Sequence, residues 1–118
     1  MLFDIKEKVF VVTGGSSGIG KALIVGLLKE GAKVYSISRR IEPNALHHQI
    51  SADFSIDDQL DRAYEEIARL EPNGIDCLIN NAGINWIESF ESYSLDAFRK
   101  VLNLNVVQVF HASQKYPF

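Results

Sequence analysis

The sequence predicts an α/β fold built on a parallel sheet. Three observations predict it. Short β-branched runs alternate with longer segments of helical spacing, turn residues separate them, and a glycine-rich turn sits at the first strand-to-helix junction. Right-handed crossovers are the expected connections in such a sheet.

The elements follow in order. Val9-Phe10-Val11-Val12 is a buried-strand run, and Thr13-Gly14-Gly15 ends it. From Gly18 to Glu30, the residues Ile19, Ala22, Leu23 and Leu27 keep helical spacing, with Gly31 as the C-terminal stop. Lys33 to Ser38 is a second strand around Val34-Tyr35-Ser36-Ile37. Residues 39–45 are polar, with a turn signal at Pro43-Asn44. Gln49 to Ala52 is a third, weaker strand. Ser55 reads as an N-cap, with Asp57 in the first turn and Asp58 three residues on. Behind it Ile56, Leu60, Ala63, Ile67 and Leu70 make one apolar face. Pro72-Asn73-Gly74 breaks that helix, and Ile75 to Asn80 is a fourth strand centred on Cys77-Leu78-Ile79. Ser94 caps a last helix that runs to about Lys115, before Pro117.

That last helix carries apolar residues on every side: Val101, Leu102, Leu104, Val106, Val107, Val109 and Phe110. Only Asn103, Asn105 and Gln108 interrupt them. A helix apolar all round is buried all round. One side can face the four-stranded sheet. The other needs cover from outside these residues or from a partner subunit. An apolar fourth strand left at an edge needs the same.

Composition narrows the class. The 118 residues are 47% hydrophobic, enough for one core and too few for two domains. Twelve Lys and Arg against fifteen Asp and Glu give a net charge of −3, which disfavours nucleic acid as a partner. Four of the first eight residues are charged, unlike a signal peptide, and no apolar run is long enough to span a membrane. One cysteine, Cys77, makes neither an internal disulfide nor a zinc site, and it reads as a core thiol. His47 and His48, adjacent on a strand, point opposite ways and suit the surface better than a metal. These features fit a cytoplasmic protein with no metal and no membrane contact.

The glycine turn, Thr13-Gly14-Gly15-Ser16-Ser17-Gly18-Ile19-Gly20, can be a structural turn or a phosphate cradle at a helix N-terminus. Two phosphate-binding readings compete. Gly15 to Lys21 fits the triphosphate loop, but Ala22 stands where that loop needs a hydroxyl for magnesium. No acidic residue ends a later apolar strand; Asn80-Asn81 are there instead. The other reading is a dinucleotide turn spaced G-x-x-x-G-x-G.

The remaining motifs decide between them. Thr13-Gly-x-x-x-Gly-x-Gly20, Asn80-Asn81-Ala82-Gly83 and Asn105 within Asn-Leu-Asn-Val occur in that order. Together they resemble the N-terminal half of the short-chain dehydrogenase/reductase family, over essentially the whole chain. The resemblance implies a Rossmann-type, doubly wound parallel sheet of strand order 3-2-1-4. Residues 1–118 would be its dinucleotide-binding half, stopping after the fourth strand and the following helix.

By that resemblance, Gly14, Gly18 and Gly20 shape the pyrophosphate turn, with Ser16, Ser17 and Ile19 beside it. Ser38 ends the second strand where an acidic residue would select NAD, and Arg39 and Arg40 follow it. An arginine there suits the extra phosphate of NADP, so NADP is expected over NAD, with Arg39 preferred to Arg40 as the contact. Asp53 and Phe54 fall at the adenine edge. Asn81, Ala82 and Gly83 pass the adenosine ribose. Asn105 is the catalytic-type residue, holding a water in a proton relay, with Asn103 its nearby competitor. Trp86 lies near the family's substrate cleft.

The family's hydride transfer uses a Tyr acid/base, a Lys four residues later and a Ser. Here Tyr35, Tyr64 and Tyr93 are followed at that spacing by Arg39, Ala68 and Ala97, and Tyr116 by nothing. The resemblance therefore implies an NAD(P)-dependent oxidoreductase acting on a small carbonyl or alcohol, with this stretch alone inactive. It also implies a homo-oligomer through the last helix. The alternative is a non-catalytic nucleotide-binding or dimerisation module.

Overall fold

The computed structural model describes residues 4–16, 18–84 and 87–116. Ser17, Trp86 and Pro117, named above, lie outside the described residues. The chain runs β1 (Val9–Thr13), α1 (Gly18–Lys29), β2 (Lys33–Ser38), β3 (His48–Ser51), α2 (Asp57–Leu70) and β4 (Cys77–Asn80). A 3₁₀ turn, Phe90–Ser92, precedes a long final helix. That helix comprises α3 (Leu95–Leu102), a π-turn (Asn103–Val107) and α4 (Gln108–Lys115).

All strand pairs are parallel, in the order β3-β2-β1-β4. Val11 sits opposite Tyr35 on one side and Leu78 on the other. Because successive strand residues face opposite ways, each strand feeds two cores. Val11, Tyr35 and Ile37 pack with Leu60, Ala63, Ile67 and Ala112, under α2 and α4. Val12 and Val34 pack with Ile24 and Ala32 on the α1 side. Helices thus cover both faces, which is why β1 is a near-continuous apolar run and why β2 is buried on both faces from Val34 to Ser38. The fold is the expected Rossmann-type parallel sheet in the expected strand order.

Local chemistry closes the elements. Past α1, the Ala32 N–H donates to the Leu27 carbonyl at 3.1 Å and Gly31 N–H to Leu28 at 3.0 Å, a Schellman closure at the expected stop. Ser94 caps α3, its Oγ accepting the Ala97 N–H at 3.1 Å. The sheet begins one pair before β4, where the Asp76 carboxylate accepts the Val9 N–H at 2.7 Å and the Asp76 N–H donates to Val9 at 2.9 Å.

Some expectations need correction. Ser55 does not cap α2; Ile56 holds the N-cap position and no side chain caps it. The Ser55 hydroxyl instead donates to the Asp53 carboxylate at 2.6 Å, a charge-assisted bond within the loop ahead of the helix. Of the apolar face drawn for α2, Leu60, Ala63 and Ile67 are buried with Tyr64, while Ile56 and Leu70 stay exposed. β3 starts at His48, and His47, half-buried ahead of it, meets Ser36 Oγ at 2.8 Å rather than facing solvent. β4 is shorter than Ile75 to Asn80 because Asp76 spends its side chain on Val9.

The final helix buries Gln108 and Ala112 inward. Its outward face leaves Leu95 67%, Phe98 50%, Val106 58% and Phe110 65% exposed. Among the described residues, no helix is long and apolar enough to cross a membrane.

Candidate functional site

The site grows from the C-terminal ends of β1 and β4, where open parallel sheets place their ligand crevices. Thr13 ends β1 and is buried. Its Oγ1 accepts the N–H groups of Asn81 at 3.1 Å and Ala82 at 3.2 Å. The Asn81 side-chain amide donates to the Gly14 carbonyl at 2.8 Å. One hydroxyl and one amide thus lock the glycine turn to the segment leaving β4.

That lock requires bare backbone. Gly14 has φ +73°, and a Cβ there would come within 2.8 Å of Ala82 Cα. At Gly20 a Cβ would lie 2.6 Å from the Gly14 carbonyl oxygen and against the Asn81 amide. No side chain fits either position without moving main chain.

In front of the lock lies a groove of about 570 Å³. Its walls include Gly14, Ser16 and Ile19 from the turn, Ser38 and Arg39 after β2, and Asp53, Phe54 and Ser55 after β3. Asn81, Ala82, Gly83 and Ile84 continue it, and Lys100, Asn103 and Leu104 close it from the final helix. Gly18, with φ +58°, and the buried Gly20 lie outside the groove lining. Arg40 is exposed and outside the lining, and Ser17 lies outside the described residues.

Two serines fix the bend that carries Arg39. Ser38 Oγ donates to the Arg40 carbonyl at 2.7 Å, and Ser51 Oγ to the Arg39 carbonyl at 3.1 Å. Across from it, Asp53 accepts the Ser55 hydroxyl at 2.6 Å and the Ser55 N–H at 2.9 Å. These two bonds hold its carboxyl below the usual range, and the Arg39 charge adds a smaller push the same way. Asn105 is not in the lining. Its amide spans the main chain of Ile84, which is in the lining.

Thr13, Ser55, Ile84, Lys100, Asn103 and Leu104 were not assigned to the site from the sequence. Thr13 stands inside the glycine motif, and Asn103 two residues before Asn105, so both had a signal. Lys100 and Leu104 had none; only folding brings the final helix to the turn.

The fold defines a Rossmann-type α/β domain with an open groove at the C-terminal ends of its strands. Comparison with known proteins narrows the class. The short chain dehydrogenase family model matches residues 8–116. This chain belongs to that family of oxidoreductases, whose members bind nicotinamide cofactors. It is 33% identical over 123 residues to a rhamnolipids biosynthesis 3-oxoacyl-[acyl-carrier-protein] reductase of Pseudomonas aeruginosa, covering 96% of this chain and 48% of the relative. The ligand-free aldohexose dehydrogenase of Thermoplasma acidophilum superposes with a TM-score of 0.88 at 33% identity, over 95% of this chain and 44% of that one. The Pseudomonas aeruginosa RhlG/NADP active-site complex gives 0.83 at 34%, over 95% and 47%. The chain spans about half the length of the curated relatives it matches.

Proposed function

We propose that this stretch is the cofactor-binding part of an NADP-preferring oxidoreductase that moves hydride between a nicotinamide and a small carbonyl or alcohol. One observation carries the reading: a single groove draws together the glycine turn, Arg39, Asp53 and residues 81–83. The residues suit a dinucleotide. Bare backbone at Gly14 allows close approach of a diphosphate. Helix α1 has no acidic residue in its first turn, so its N-terminal dipole is left to act on an anion. Arg39, held at the groove wall, supports a 2′-phosphate contact, and Asp53 with Phe54 supports an adenine edge. The relative solved with NADP supports the same choice. The bound cofactor would supply the hydride acceptor or donor.

This chain's own residues would bind and orient. Asn105 holds Ile84 at the groove, and each end of its amide keeps a second hydrogen-bonding capacity for a relay water. Tyr35, Tyr64 and Tyr93 have no Lys four positions on, so none of them serves as the Tyr acid/base. The apolar outward face of the final helix supports a homo-oligomeric enzyme. Calorimetric titration of the folded protein with NADPH and with NADH tests the reading. Saturable binding that favours NADPH is expected. A folded protein that binds neither overturns it.

A further inference from the structure

We infer that Gln108 is a positioning residue for the adenosine end of the groove, and that the Asn103 it holds is a further polar contact for the bound dinucleotide. The inference rests on the cofactor reading above.

Gln108 opens α4 and is 3% exposed. A buried primary amide is costly unless its atoms are paired. Here all are. Nε2 lies 3.2 Å from Asp57 Oδ1 and 3.2 Å from Asn103 Oδ1, and Oε1 lies 3.1 Å from His111 Nδ1. The Asp57 carboxylate can only accept, so it sets which end of the amide faces it. The other nitrogen of His111 meets Asp61 Oδ1 at 2.8 Å. Gln108 thereby ties the first turn of α2 to the π-turn.

The π-turn is what makes this tie reachable. Residues five apart in an α-helix point about 140° away from each other, by its 3.6-residue turn. A π-turn bonds residue i to i+5, and the Gln108 N–H donates to the Asn103 carbonyl. The same register brings the Gln108 side chain onto the Asn103 side chain.

Both tied segments belong to the groove. Asp57 stands two residues after the wall residues Asp53, Phe54 and Ser55, while Asn103 and Leu104 form the wall from the final helix. One buried amide therefore sets the relation between two walls far apart in sequence. With Oδ1 engaged by Gln108, Asn103 has its Nδ2 donors to offer the groove. The neighbouring surface comes from Phe54 and Leu104, which suit a flat aromatic ring. Asp53 accepts and Asn103 donates, which suits a ring bearing an exocyclic amine and acceptor nitrogens. Adenosine has that pattern.

The test uses the full-length protein and ADP-ribose, which carries adenosine and diphosphate but no nicotinamide. Affinities for ADP-ribose and NADPH are measured by calorimetry, well below each variant's thermal midpoint. Gln108→Met should weaken ADP-ribose binding about tenfold, the scale of one lost hydrogen-bond contact. Asn103→Asp keeps Oδ1 for Gln108 but removes the Nδ2 donors, and should cost a similar factor. Combining Gln108→Met with Asn103→Ala should cost no more than Asn103→Ala alone, since both remove one contact. Gln108→Asn, a methylene too short to hold both partners, replaces Gln108→Met if that variant fails to fold. Unchanged affinity in the Gln108 variant, or additive losses in the double variant, overturns the inference while leaving the cofactor reading intact. Failure of the wild-type protein to bind NADPH or ADP-ribose overturns both.

Discussion

The side-chain amide of Asn105 brackets the main chain of Ile84, accepting its N–H and donating to its carbonyl, each at 2.8 Å. Asn105 lies in the π-turn and Ile84 in the loop leaving β4, so this pair staples the final helix to the groove. Gly83 leaves room for it, since a Cβ there would come within 3.1 Å of Asn105 Oδ1. Asn105→Ala removes both bonds and should cost about 1–2 kcal/mol, two modest hydrogen bonds with partial solvent access. Asn105→Asp keeps an acceptor for the Ile84 N–H but sets a carboxylate oxygen against its carbonyl, so it should not recover the loss. Hydrogen exchange at the Ile84 amide checks this directly: both variants should exchange faster there, while amides in β1 are unchanged.

Thr13 supplies a second, more buried junction. Its hydroxyl oxygen is the acceptor for two successive N–H groups, those of Asn81 and Ala82. Thr13→Val has nearly the same shape but removes that shared acceptor. The Asn81 N–H keeps the Ile79 carbonyl at 3.1 Å, so the Ala82 N–H is the one left unsatisfied, and the expected cost is about 1–3 kcal/mol. Thr13→Ser keeps the oxygen and should lose about 1 kcal/mol or less, for one buried methyl. Urea denaturation of both variants measures the contrast. Equal losses would show that packing, not the hydroxyl, matters at this position.

Much of the fold was legible because its signals are local. The apolar run Val9 to Val12 and the β-rich stretch Val34 to Ile37 announce buried parallel strands, and Gly31 marks the end of α1 by itself. The errors came where two local signals competed. Ser55 carries a cap signature, but Asp53 two residues earlier takes its hydroxyl. Asp76 reads as strand, yet its side chain closes the sheet at Val9. The π-turn has no side-chain signature of its own; Gln108 looks like one of three separate polar interruptions until the turn brings it over Asn103. For the same reason, the wall built by Lys100, Asn103 and Leu104 could not be assigned to the groove, whereas the glycine turn and residues 81–83 could.

Arg39 makes the cofactor choice testable by charge. Its guanidinium lies at the groove wall on a bend held by Ser38 and Ser51. A bidentate, charge-assisted contact to a phosphate contributes about 1.5–3 kcal/mol, or roughly tenfold to a hundredfold in affinity. Arg39→Ala should weaken NADPH binding by about that factor and leave NADH nearly unchanged. Arg40→Ala, outside the groove lining, should change neither by more than a few-fold. Raised salt should weaken NADPH binding to the wild-type protein more than to Arg39→Ala, because screening acts on the contact that variant lacks. Parallel losses for NADPH and NADH in Arg39→Ala would mean that the residue supports the groove without reading the phosphate.

Tyr64 links packing to pH. It is 3% exposed in the core under α2, packed edge-on against Tyr116 at 5.8 Å and His111 at 5.6 Å. Its hydroxyl has no hydrogen-bond partner among the described residues. Burial, with a smaller contribution from the Asp61 charge, pushes the phenol up to about 12 from an ordinary 10.0. Between those values the unfolded chain releases this proton and the folded one keeps it. The stabilisation is therefore fully present below pH 10 and falls as pH rises through 12. At about pH 11 the loss from this one group is roughly 1.4 kcal/mol, one pKa unit's worth. Tyr64→Phe removes both the ionisation and the unpaired oxygen. At pH 8 it should match or exceed the wild-type stability, by up to about 1 kcal/mol, because replacing an unsatisfied buried hydroxyl costs little. Tyr116, also raised by burial, should keep part of the alkaline slope in the variant. Urea midpoints at about pH 8 and pH 11 for the two proteins decide it. The drop between the two pH values should be smaller in Tyr64→Phe, and an equal drop would mean that Tyr64 does not titrate differently on folding.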